Sequence, residues 1–123
     1  MGERAVGRPG GGSGPEPWPP PDAAYQGALF YGESHLRKGE YLKATLHFRR
    51  AVAAAPGPDE RELARGLVHL GAAGHKWAQG DERGAERQLA HARRRLAPFA
   101  PSARRLDLDA LMAAVEERVS RYA

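Results

Sequence analysis

After residue 21, apolar residues recur every three or four positions along almost the whole chain, the period of a helix with one buried face. The first helix is expected to start near Asp22, placed as an N-cap after Pro21. Tyr25, Ala28, Leu29, Gly32 and Leu36 fall on one of its faces, and Lys38-Gly39 gives a basic last turn and a terminal glycine. A second helix, about 40–55, carries the stripe Ala44, Phe48, Ala51, Val52 and Ala55, with Tyr41 at its start and Pro56-Gly57-Pro58 as its stop. Asp59 followed by Glu62 has the spacing of a capping box and opens a third helix with core face Leu63, Leu67, Leu70, Gly74 and Trp77. Gly80 ends it. Asp81 caps a fourth helix, whose stripe is Ala85, Leu89, Ala92 and Leu96. Beyond a loop from Pro98 to Arg105, Asp107 caps a fifth helix with face Leu108, Leu111, Met112, Val115, Val119 and Tyr122. No stretch alternates with period two over a useful length, so no sheet is expected. The pattern predicts an all-α fold: a single antiparallel bundle of about five helices over residues 22–123, built from helical hairpins.

The third helix is unusual in carrying Gly66, Gly71 and Gly74. Each costs about 1 kcal/mol against alanine in a helix interior. Close approach by a neighbouring helix is the expected return, with Gly71 or Gly74 at the contact.

Residues 1–21 break the helical pattern. Glycines alternate with prolines, so the segment is expected to be a disordered tail, with Trp18 its one large aromatic. The glycines follow no strand, so a phosphate-binding loop is not expected.

Composition adds bounds. With 123 residues and 41% hydrophobic positions, one domain with a core is feasible. Alanine dominates that pool, so the helices must pack closely. There is no cysteine, which removes disulfides and thiolate metal sites. No apolar run approaches a membrane span and no secretory signal is present, so a cytoplasmic protein without membrane contact is expected. The net charge is +4. Nucleic-acid binding would need the arginines at 49, 50, 93, 94, 95, 104 and 105 to converge on one surface. Arg93, Arg94 and Arg95 also suit the negative end of a helix, and that structural role is favoured.

The stretch from Gly66 to Leu96, GLVHLGAAGHKWAQGDERGAERQLAHARRRL, together with LDLDALMAAVEERV at 106–119, resembles the bacterial and plant domain family of unknown function numbered 309. The resemblance covers roughly residues 31–119. It implies a small all-helical domain and no established activity. Members carry Glu-x-His-Glu-x-x-Glu-x-x-Trp in the second helix, a set that could hold a metal or an acid/base pair. The corresponding positions here are Lys43, Thr45, Leu46, Arg49 and Val52, so that chemistry is absent, and no metal or cofactor is expected. His75 falls where members commonly have histidine. Gly39, Tyr41, Ala44, Phe48, Ala51 and Pro56 also have tetratricopeptide-like spacing, echoed by Gly80, Ala85, Leu89 and Ala92. Two imperfect units at a long period favour packed hairpins over a repeat array.

Neither a nucleophile elbow nor an HExxH pair occurs. The five histidines offer one conceivable pocket, with His47 and His75 meeting between the second and third helices. That reading would make the protein a small-ligand binder or enzyme. The favoured reading is a non-enzymatic module that binds another protein. Leu42 and Leu46 lie one turn apart, off the core stripe, and form the candidate interaction surface.

Overall fold

The computed structural model describes residues 22–121, with side chains as far as Val119. The tail expected at 1–21, with Trp18, and Tyr122 fall outside the described residues. Five helices follow in order: α1 (Ala23–Arg37), α2 (Tyr41–Ala54), α3 (Pro58–Ala78), α4 (Glu82–Leu96) and α5 (Leu108–Arg121). The fold is all-α, as the periodicity predicts.

The α1–α2 and α3–α4 turns are built the same way. Gly39 and Gly80 take the left-handed conformation, with φ of 78° and 84°. In the first, the Gly39 and Glu40 amides donate to Leu36 and His35. In the second, the Gly80 and Asp81 amides donate to Trp77 and Lys76. This pair of bonds satisfies the last free carbonyls of each helix and reverses the chain within two residues. Asp81 then caps α4 by accepting from the Gly84 amide at 2.8 Å, and Asp107 caps α5 by accepting from Ala110 at 3.0 Å.

Two other expected caps are not made. Asp22 caps nothing with its side chain; its carboxylate accepts from Arg104, 82 residues away. In α3 the N-cap is Gly57, with Pro58 in the first turn, so Asp59 lies inside the helix. Glu62 turns to Arg95 of α4 instead of back to the helix start.

Helices α1 to α4 pack each against the next, and α5 lies against α3 and α4 and touches α1. The five-residue face expected of α1 is buried throughout, as is the stripe of α4. Leu108, Leu111, Val115 and Val119 of α5 close the core. Val52, Ala55, Trp77 and Met112 are only partly buried at its edge. Thr45 is buried although polar. Its hydroxyl donates to the Tyr41 carbonyl one turn back, at 2.8 Å, so burial leaves no polar atom unpaired.

Gly71 and Gly74 face α2. A Cβ at Gly71 would lie 2.4 Å from the Thr45 hydroxyl and 3.3 Å from its backbone nitrogen; at Gly74 it would lie 2.2 Å from the Tyr41 ring. The same holds between α1 and α2, where a Cβ at Gly32 would meet the Phe48 ring at 2.3 Å. Glycines of α1 and α3 thus seat aromatic rings of α2, which lies between them.

The α4–α5 connection differs from expectation. After a turn of 3-10 helix at Ala97–Phe99, two short antiparallel strands form, β1 (Ser102–Ala103) and β2 (Leu106–Asp107). Two-residue strands are too short to leave a period in the sequence. Arg104 and Arg105 form the two-residue turn, both with positive φ, a conformation that costs an L-residue energy.

Arg104 is held there from several sides. Its guanidinium donates to Asp22 at 2.8 Å and to Glu60 at 3.0 Å, and lies 5.2 Å from the centre of the Tyr25 ring. Its carbonyl accepts from Gln26. The Tyr25 hydroxyl donates to the Glu60 carbonyl at 2.6 Å, and burial pushes its pKa up to about 12, so it remains a donor. One side chain therefore joins the hairpin to the starts of α1 and α3. A backbone hydrogen bond at Glu60, and then the Arg104 guanidinium, hold the Glu60 carboxyl below its ordinary pKa of 4.5. A depressed folded-state pKa means stabilisation that is present above the ordinary value and is lost as pH falls through the folded one. Arg104→Ala is expected to lower the melting temperature at neutral pH and to make its decline into acid shallower than in the wild type. Parallel melting curves in the two variants would show the clamp to be inert.

Candidate interaction face

Leu42 and Leu46 are the notable apolar exceptions on α2. They remain 54% and 51% exposed. They follow from the period of the helix. Tyr41, Thr45 and Phe48 turn inward, so Leu42, Leu46, Arg49 and Ala53, spaced four, three and four apart, form one line along the outer edge. Arg49 and Ala53 in turn line a concavity of about 480 Å³, completed by Val52 of α2, Arg65, Val68 and His69 of α3, and Arg95 of α4. The two leucines therefore continue one wall of a groove that runs over α3. In the antiparallel register set by Thr45 against Gly71 and Tyr41 against Gly74, Leu46 is level with Leu70, and Leu42 with Ala73.

The groove is positively charged. Arg95 pairs with Glu62 at 2.5 Å, and Arg65 approaches the same carboxylate at 3.9 Å. Among the described residues Arg49 has no carboxylate partner. His69 donates from Nδ1 to Gln88 Oε1 at 2.7 Å, and its ring lies 5.0 Å from that of His91. The His91 pKa is lowered by burial, then by Arg94, His69 and Arg95. Its Nδ1 accepts from Arg94 at 2.6 Å, as a neutral imidazole does.

A second histidine pair lies on the opposite edge of α2. His47 stacks on His35 with ring centres 5.2 Å apart and on Tyr31 at 5.4 Å. His35 bonds Glu40 at 2.7 Å, which holds that carboxyl below its ordinary pKa. Burial first, then Arg50 and His35, lowers the pKa of His47.

The structure places His47 and His75 in different surroundings. His47 faces α1, whereas the α2–α3 contact is made by Thr45 and Tyr41 on the glycines of α3. Neither histidine lines the groove over α3, nor the smaller concavity of about 330 Å³ between α4 and α5. Both actual pairs, His35–His47 and His69–His91, join neighbouring antiparallel helices. Helix spacing alone pairs residues within a helix, so neither was read from the sequence. No group of three or more His, Cys, Asp or Glu side chains that could hold a metal occurs among the described residues.

Three of the arginines are taken up by carboxylates. Arg93 bonds Glu116 of α5 at 2.7 Å, Arg95 bonds Glu62 of α3, and Arg104 is enclosed in the hairpin clamp. Of the seven arginines a nucleic-acid surface would require, only Arg49 and Arg95 share the groove. No helix among the described residues is long and apolar enough to cross a membrane. In comparisons with known proteins, no family model, curated protein or solved structure matches the chain.

Proposed function

We propose that the protein is a non-enzymatic helical module that binds a segment of another protein along the outer face of α2 and α3. The observation that carries this reading is the exposed pair Leu42 and Leu46, in line with Arg49 and Ala53 of the groove. Apolar side chains left half in water beside a concave site are free to be buried by a partner, and helical grooves of this kind take amphipathic segments. Membership of domain family 309, proposed from the sequence alone, fits such a helical module and adds no activity.

The test is the double substitution Leu42→Asp with Leu46→Asp. Both positions are exposed, so the helical spectrum and melting temperature are expected to stay close to wild type. Affinity capture from the native extract, with nuclease present, is expected to lose the partner. Retained capture by a folded double variant would reject this surface.

A further inference from the structure

We infer that this face selects an acidic amphipathic helix, whose apolar side chains seat on Leu42, Leu46, Ala53 and Val68 and whose carboxylates reach Arg49 and Arg65. The inference rests on the protein-binding reading above and names the chemistry of its partner. Two observations carry it.

The first is the charge balance of the groove. Arg49, Arg65 and Arg95 line it together with His69, and among the described residues the one carboxylate bonded to these arginines is Glu62. Glu62 is taken up most closely by Arg95, at 2.5 Å. Arg65 is left at 3.9 Å with half its side chain exposed, and Arg49 has no carboxylate partner among the described residues. A partner carboxylate placed over this wall meets two guanidiniums without displacing a close internal ion pair. A partner lysine meets the same two as repulsion, which is the stronger source of selectivity.

The second is shape. The line Leu42, Leu46, Arg49, Ala53 follows the helical period over roughly 16 Å at 1.5 Å per residue. It lies beside Val52 and Val68 in the groove. Three turns of a partner helix present apolar side chains at matching intervals, with acidic side chains flanking them. A nucleic acid fits less well. The lining holds aliphatic side chains where stacking platforms would be needed, His69 apart, and a phosphate backbone gains nothing from Val52, Ala53 and Val68.

The experiment is titration of the isotope-labelled full chain, followed by amide chemical shifts, with four probes. One is a synthetic helical peptide with leucines on one stripe and glutamates elsewhere. The second has lysine for every glutamate. The third has the glutamate peptide's composition with its leucines scrambled off the stripe. The fourth is a short oligo-dT. The glutamate peptide is expected to bind at least about tenfold more tightly than the lysine peptide and to weaken as salt is raised. Its shifts should centre on Leu46, Arg49, Arg65 and Val68. The scrambled peptide should bind weakly.

The double variant Arg49→Glu with Arg65→Glu should reverse the preference between the two charged peptides, an outcome that loss of structure cannot mimic. Equal binding of both charged peptides at this face would overturn the acidic assignment and leave the protein-binding reading standing. Tighter binding of oligo-dT, or shifts confined to another face, would overturn the assignment too. Failure of every peptide would do the same, and if Leu42→Asp with Leu46→Asp also left partner capture intact, the face itself would be rejected.

Discussion

Phe48→Ala is expected to cost about 3–5 kcal/mol, the range for truncating a fully buried aromatic ring. The ring has no exposed surface and lies against the backbone notch at Gly32 of α1. Two consequences decide the size. The transfer term is large because all the apolar area of the ring leaves the core. The cavity term is also large because the walls cannot easily close. One wall is helix backbone at Gly32. The other is carried by α2, which Thr45 and Tyr41 hold against Gly71 and Gly74 of α3. For a domain of this size, with total stability of roughly 5–15 kcal/mol, such a loss removes a large share. Denaturant unfolding of the two proteins under one set of conditions measures it. A loss below about 1 kcal/mol would mean that α1 and α2 collapse onto each other after truncation, and that the notch is softer than its backbone composition implies.

How much of this was legible in the sequence follows from which residues depend only on their own helix. The buried faces of α1 and α4, the glycine turns at Gly39 and Gly80, and the caps at Asp81 and Asp107 are local. A single period or a residue three positions away specifies each. Apart from the start of α3 and the two-residue strands, the failures are non-local. Asp22 has the chemistry and position of a capping residue, but it finds an arginine 82 residues away, and the charge-assisted bond outcompetes a local cap. Asp59 and Glu62 lose the capping box because α3 starts earlier, at Pro58 after Gly57, which leaves Glu62 free to bond Arg95 of α4. Thr45 lies outside the apolar stripe of its helix, and it is buried because Gly71 makes room for it and Tyr41 supplies an acceptor. His47 lies on an edge of α2 that the helical wheel defines correctly, yet the wheel does not say which neighbour lies beyond that edge. It is α1, and that separates His47 from His75. The candidate face was half legible. Leu42 and Leu46 stand off the core stripe by spacing alone. Val68, Arg65 and Arg95 join them only because three helices lie side by side.

Gly74→Ala separates intrinsic helix preference from packing, and packing is expected to win. In an open helix position the substitution stabilises by about 1 kcal/mol. At Gly74 the added carbon would lie 2.2 Å, 2.5 Å and 2.6 Å from three atoms of the Tyr41 ring, well inside van der Waals contact. Relief requires the ring to move, and it is pinned. Tyr41 is buried, its hydroxyl accepts from Arg118, and the Arg118 guanidinium lies 5.7 Å from the ring centre. Relief by separating α2 from α3 would open the adjacent Thr45–Gly71 contact as well. Overpacking of this kind costs about 1–3 kcal/mol, more than the propensity gain returns. Gly27 in α1 is the internal control, because a Cβ there meets nothing within 4 Å. Gly27→Ala should therefore raise the melting temperature while Gly74→Ala lowers it, although both convert a helical glycine to the best helix former. Calorimetric melting of the two variants beside the wild type reads the sign directly. Stabilisation by both would show that α2 and α3 can yield at Tyr41. It would leave Gly74 without the packing role that explains its presence in a helix interior.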